Sequence, residues 1–390
     1  MKLCKKAFSL VLLSGLIAAL AGCQKDRPSD EIWIGVFEPL TGANAGGGTI
    51  EKEGIDLANK LYPTVDVNGK TYKVVLKVAD NRSDKVEAAN AAERLMSKDK
   101  VDLILGSWGS SLSMAAGEVA KTKKVPIIGL SCTNPLVTRG NDYYFRVCFI
   151  DPFQGTVMAN YAFEDLGAKN AVIVQEVSND YSIGLAKYFT DTFIALTGDP
   201  NAILATVNYN TNDNDFNAQL TQVKSLNPQI IFAPGNFTES ALIISQARSL
   251  GIETQFIGAD TWETNEFVDV GKAAVEGATF SSFYDPSDVN DTDPLTLTFL
   301  TEYAAQYNKK PAAVTALGFD GYLLALDAIQ RAGSLDHEAI RQAIAQTQGW
   351  TGVTGVVNLD ENGDTSKPAI IKKVQNGNFE FLKVVSPEQW

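Results

Sequence analysis

The residues best placed to do chemistry sit at the ends of apolar, β-rich runs. Val101–Leu105 (VDLIL) leads through Gly106-Ser107-Trp108-Gly109 into a helical stretch that starts at Ser110 or Ser111. A glycine-permitted turn at a helix N-terminus presents unpaired backbone N–H groups and a positive dipole end, and so holds a carboxylate. Ser110 either adds a hydroxyl donor there or caps the helix; the spacing allows both. Ser131 and Thr133 follow the run Val125–Leu130, at the carboxyl edge where open α/β sheets bind ligands. Turn formation before Pro135 accounts for the same residue types. Asp260 closes a further run, Thr254–Ile257 with Gly258-Ala259. In a closed cleft its carboxylate needs a cation, which a ligand ammonium supplies through charge-assisted hydrogen bonds. Asp260-Thr261-Trp262-Glu263 is equally a capping-box signal for a following helix.

Other chemistries lack their parts. His337 is the sole histidine and lies among Asp336, Glu338 and Arg341 on a polar helix start, without the partners of a nucleophile–base arrangement. No Gly-x-Gly-x-x-Gly follows a strand and no Walker motif occurs; Gly46-Gly47-Gly48 lacks the Lys-Ser/Thr ending of a phosphate loop. The acidic runs 212–215 and 285–293 lack the glycine and glutamate spacing of a calcium loop. No catalytic residue, metal or cofactor is expected.

The first thirty residues point to export. Lys2, Lys5 and Lys6 precede an apolar run from Ala7 to Ala21, the layout of an export signal and too short for a comfortable membrane-spanning helix. Leu20-Ala21-Gly22-Cys23 resembles the lipobox of bacterial lipoproteins, which implies a signal over 1–22, lipidation of Cys23 and a polar tether over 23–31. The net charge of −13 becomes −16 once the signal and its three lysines are removed. That balance disfavours nucleic acid and anionic lipid as partners. Beyond Cys4 and Cys23 only Cys132 and Cys148 remain; an exported protein permits a disulfide between them, and two buried thiols fit as well.

The elements that must position these residues alternate. Strands are expected at Ile32–Phe37, Tyr72–Ala79, 101–105 and 125–130, with helices at Thr49–Leu61, Ser83–Ser97 and Ser111–Lys123 between them. A second series follows, with strands at 171–175, 203–207, 230–233 and 254–257 and helices at 151–166, 182–196, 216–225 and 240–250. Continuous apolar strands between helices signal parallel sheets covered on both faces. Beyond about Ala278 the pattern turns helical, over 294–307, 312–331 and 335–345, before a hairpin signal at Asn376-Gly377. Two doubly wound lobes are the economical reading.

Several segments, in order, resemble the branched-chain amino-acid group of type I periplasmic binding proteins. They are Ile34-Gly35-Val36 with Glu38-Pro39-Leu40-Thr41-Gly42, then 105–111 (LGSWGSS), Ser131-Cys132-Thr133-Asn134-Pro135 and Phe145-Arg146. Asp180-Tyr181-Ser182-Ile183-Gly184, 255–260 (QFIGAD) and Gly318-Phe319-Asp320 complete the set. The resemblance implies two α/β lobes joined by a three-strand hinge, with the first lobe over 32–148 and 285–353 and the second over 149–284 and 354–390. It implies crossings near 147–151, 280–284 and 352–357. It puts Ser110, Ser111, Thr133 and the Ser131 carbonyl against an amino-acid ligand, Asp260 on its ammonium and Tyr181 reaching across from the second lobe; Trp108 and Phe237 either line the apolar part of the pocket or pack in the core. The implied function is capture of a branched-chain or similar small amino acid or amide and delivery to an ABC permease; a sensor of the same fold is the alternative. The loop Gly42–Gly48 lacks an aromatic that many relatives place over the ligand, and Tyr62–Lys70 replaces their usual glycine-rich stretch.

Overall fold

Two sheets organise the chain in the computed structural model, which describes residues 27–288 and 293–387; the signal segment and Cys23 lie outside the described residues. The first sheet contains β1 (Glu31–Glu38), β2 (Thr64–Val67), β3 (Lys70–Asp80), β4 (Leu103–Leu105), β5 (Ile127–Gly129) and β6 (Tyr144–Arg146), in the spatial order β2-β3-β1-β4-β5-β6. Its centre is parallel, and β2–β3 is an antiparallel hairpin at one edge. The helices are α1 (Ala45–Leu61), α2 (Lys85–Glu93) and α3 (Ser110–Lys123). Strands β4, β5 and β6 are buried throughout, as sheets covered on both faces require.

Helix α4 (Asp151–Asn160) opens the second series. The strands are β7 (Ala171–Glu176), β8 (Ile203–Tyr209), β9 (Ile230–Phe232), β10 (Gln255–Gly258) and β11 (Thr279–Ser282), with helices α5 (Asp180–Thr197), α6 (Asn217–Leu226), α7 (Phe237–Ser249) and α8 (Asn265–Gly271). Three helices follow, α9 (Pro294–Tyr307), α10 (Ala313–Ala332) and α11 (His337–Ala345), and then a short hairpin of β12 (Trp350–Gly352) and β13 (Gly355–Val357). The last strands, β14 (Ala369–Gln375) and β15 (Asn378–Val385), complete a seven-stranded sheet ordered β15-β14-β11-β10-β9-β7-β8. Its final turn, Asn376-Gly377, has positive φ at both residues, the geometry that matches strand twist in a two-residue hairpin.

The chain therefore passes between the sheets after Arg146 and again after Ser282. Helix α10 then crosses α1 at close range: a Cβ on Gly54 would collide with the Thr315 carbonyl, and one on Gly318 with that of Glu51. The third passage falls later than the expected 352–357. Residues up to Thr365 are still tied to the first sheet, because the Arg146 N–H donates to the Gly363 carbonyl at 3.0 Å and its Nε to Asp364 at 2.6 Å. The passage thus lies between Thr365 and Ala369. Three further expectations need correction. The region after Ala278 is a strand before it is helical, β2 and β12–β13 went unforeseen, and α1 starts four residues before Thr49. That early start uses the glycines: a side chain on Gly47 would strike the Trp108 indole, and one on Gly48 would strike Pro39.

Candidate functional site

The carboxyl ends of β4, β5, β7, β9 and β10 deliver the parts of a cleft between the two sheets. On the first wall, Gly109 occupies the N-cap of α3 with φ 97° and Ser110 is the first helical residue. Ser110 therefore does not cap: its buried hydroxyl accepts the Asn134 N–H at 3.1 Å. Thr133 is fully buried and its Oγ1 has no hydrogen-bond partner. The Ser131 hydroxyl donates to Glu51 of α1, so its carbonyl, not its side chain, is the group left for a ligand.

On the second wall, Asp260 begins a 3-10 turn, and α8 is capped instead by Thr264, whose hydroxyl accepts the Phe267 N–H. The capping reading of Asp260 is thereby set aside. Its carboxylate accepts the Tyr181 hydroxyl at 2.8 Å and the Gln154 amide at 2.5 Å. Burial pushes the Asp260 carboxyl up to about 6, against the pull of those two hydrogen bonds. Asp151, at the start of α4, is fully buried, and no hydrogen bond reaches either of its oxygens. Burial first pushes it up to about 8, with the Asp260 charge adding to the rise, against the pull of the nearby Thr133 hydroxyl and the Arg146 charge. Two acids thus converge where none of the described lysines or arginines bonds to them, an arrangement that favours an incoming cation.

The cleft is narrow, lined by Trp108, Gly109, Ser110, Ser131, Asn179, Tyr181, Asn236, Asp260 and Thr261 around a cavity of only about 10 Å³. Trp108 supplies its apolar wall. Phe237 does not line it but packs edge-on behind Trp108, with ring centres 5.8 Å apart. Ser111 is likewise turned away: its hydroxyl donates to Asp180 at 2.9 Å and accepts the Asp180 N–H at 3.0 Å. At the same rim Lys85 Nζ reaches Asp180 at 2.7 Å, and the Asn134 amide donates to its carbonyl at 2.9 Å. Asp180 is thus held by three residues of the facing wall. A larger cavity of about 470 Å³ lies where the chain crosses between sheets, among Phe283, Tyr284, Val353 and Ile370; it shares no residue with the cleft. Cys132 and Cys148 are buried free thiols.

Asp151, Gln154, Asn179, Asn236 and Asp180 were not singled out from the sequence. Asp151 carried a usable signal: an acid at the expected first crossing, directly before a proline and a helix. Among the described residues there is no cluster able to hold a metal ion and no helix long and apolar enough to cross a membrane.

Comparison with known proteins agrees with this architecture. Residues 31–378 match the family described as periplasmic binding protein. The chain is 26% identical to Leu/Ile/Val-binding protein homolog 1 of Brucella melitensis over 97% of its own length and 99% of the relative's. It is similar in structure to a leucine binding protein, LivK, of Thermotoga maritima, with a TM-score of 0.87 and 40% identity over 92% of this chain and 100% of the other. The isoleucine complex of the branched-chain amino acid transporter substrate binding protein LivJ from Streptococcus pneumoniae matches with a TM-score of 0.83 and 32% identity, covering 92% and 100%. The α/β architecture with its two parallel-sheet lobes, the length of the match and the identity to these relatives agree: the chain belongs to the type I periplasmic binding protein family, among the branched-chain amino-acid-binding substrate-binding proteins of ABC transporters.

Proposed function

We propose that this protein captures a branched-chain or similarly small amino acid in its interlobe cleft and delivers it to an ABC importer, from a position outside the cytoplasm to which Cys23 anchors it by lipid. The observation that carries the reading is the division of charge across the cleft. One wall offers hydrogen-bond donors at the start of α3 with the Thr133 hydroxyl, and suits a carboxylate. The other offers Asp260 and Asp151, and suits an ammonium. A zwitterion with both groups on one carbon bridges the walls, while its side chain faces Trp108. Relatives named for leucine, isoleucine and valine, and a neighbour solved with isoleucine, support a small branched apolar side chain. In this reading the first lobe comprises 32–148 and 285–365 and the second 149–284 and 366–390.

Binding would close the lobes about their crossings, and the closed form is what a permease recognises. A thermal-shift panel tests the ligand. A ligand that binds only the folded protein raises the midpoint by an amount that grows with its excess over Kd. L-leucine, L-isoleucine and L-valine should raise it and L-glutamate and L-lysine should not. No response to any neutral amino acid at millimolar concentration would contradict the reading.

A further inference from the structure

Behind the first wall lie two carboxyl groups that ligand capture does not use directly. Glu38 ends β1 and Glu51 sits on the buried face of α1; both side chains are fully shielded from water. Glu38 Oε2 accepts the Trp108 N–H at 2.8 Å, and Glu51 Oε2 accepts the Ser131 hydroxyl. The remaining oxygen of each, Oε1, has no donor from any other residue, and the two carboxyl groups lie within hydrogen-bonding reach of each other. Carboxylate oxygens only accept, so two of them touch favourably only when a proton lies between them.

The titratable groups facing the pair are Tyr144 beside Glu38, Cys132 beside both, and Cys148 and Asp260 towards Glu51. None of these is a cation, and none of the described lysines or arginines bonds to either carboxyl. Two ionised carboxylates in that setting are strongly disfavoured. Burial first, and then the charge of its partner, holds the Glu38 carboxyl well above the usual carboxylate range. Burial pushes Glu51 up to about 8, against the pull of Ser131 and Glu38.

We propose that Glu38 and Glu51 share a retained proton at neutral pH, and that this proton ties the Trp108 loop to the Ser131 loop, fixing the spacing of the two segments that receive the ligand. Both are positioning residues, since neither lines the cleft. The inference rests on the amino-acid reading for its effect on affinity, but not for the proton itself. Loss of the proton would leave two like charges in contact, and their repulsion would part the loops. Affinity should therefore fall at alkaline pH for a reason that lies outside the cleft.

Glu38→Gln is the informative variant. Its amide can donate to Glu51 while its carbonyl oxygen still accepts from Trp108, so it imitates the protonated pair at every pH. Titration calorimetry with L-leucine from pH 6 to 9.5 should give the parent and Glu38→Gln Kd values within about threefold at pH 6.5. Above pH 8 the parent should weaken by up to about tenfold per pH unit more than the variant. The ligand ammonium titrates alike in both, so the difference isolates the pair. Glu51→Ala should weaken binding at every pH, and Glu51→Gln should restore it.

Melting curves without added ligand supply a second measurement. An acid whose folded value is raised leaves the folded state holding protons that the unfolded chain releases. Stability from this source is complete below about 4.5 and is lost as pH rises towards 8. The melting temperature of Glu38→Gln or Glu51→Gln should therefore gain on the parent steadily across that range. A constant offset in melting temperature, or an unchanged alkaline limb in binding, overturns the proposal. Failure of the parent to bind L-leucine overturns the ligand reading alone, and the melting comparison still judges the shared proton.

Discussion

The acid side of the cleft makes the sharpest claims at the scale of single residues. Asp260 exchanges solvent for the Tyr181 hydroxyl and the Gln154 amide, and Asp151 exchanges it for nothing visible in its hydrogen bonding. If both face a ligand ammonium, Asp260→Asn removes charge while keeping shape. Truncating one partner of a desolvated ion pair costs about 2–5 kcal/mol, or roughly thirty- to several-thousand-fold in Kd. Ser110→Ala should cost less, about 1 kcal/mol, because the backbone donors of α3 remain. The protonation of these acids adds a pH dependence. An ammonium favours their ionised forms, so binding expels the protons they hold. Affinity should climb from pH 5 to pH 8, through the values of about 6 for Asp260 and about 8 for Asp151. Calorimetry in buffers of different ionisation enthalpy should register proton release on binding at pH 6.5. Stability carries the opposite sign: both folded values are raised, so the melting temperature of Asp151→Asn relative to the parent should rise between pH 4 and 8. At this scale the sequence was half legible. Strand-end Ser131, Thr133 and Asp260 stand out because loops at strand ends are where ligands bind. Glu51 was hidden inside a helix, although its spacing with Ile55 and Ala58 puts a carboxyl on the buried face.

Elements show a similar division. Strands that are continuous apolar runs were readable, because burial on both faces leaves no other composition. The start of α1 was not, since three glycines are poor helix formers and only tertiary contact with Trp108 and Pro39 explains them. Gly47→Ala should accordingly disturb the Trp108 wall and weaken binding, with a visible change in tryptophan fluorescence. The edge strands β2, β12 and β13 escaped notice for a different reason: they are three or four residues long and half exposed, so alternation has too little length to register. Helix α5 brings a second testable feature through Asp180, which meets Lys85, Ser111 and Asn134 across the cleft rim. Its carboxyl is held below the usual carboxylate range by Lys85 and Ser111, which outweigh its partial burial. Lys85 and Asp180 are both substantially exposed, 52% and 42% by side chain, so that ion pair alone is worth at most about 1 kcal/mol. Asp180→Ala, which also removes the Ser111 bond, should speed ligand release about five- to twentyfold in stopped-flow measurements. Asp180→Lys with Lys85→Asp should recover part of that loss, and high salt should reduce the difference.

For the whole molecule, the crossings between the sheets make relative motion of the lobes the expected mechanical response to a ligand. Small-angle scattering at saturating L-leucine should give a smaller radius of gyration than the protein alone. An unchanged profile would speak for a rigid scaffold. Membrane attachment is a separate matter: Cys23→Ser should release the protein into the aqueous phase in detergent partitioning with its melting temperature unchanged. The central claim remains that charge on both walls, together, selects the ligand. Titration calorimetry comparing L-leucine with 4-methylpentanoate, the same molecule without its ammonium, tests that claim most directly. L-leucine should bind with a Kd at least about a hundredfold lower than the deaminated acid, and Asp260→Asn should abolish most of that preference. Equal affinity for the two compounds in the parent would contradict the account.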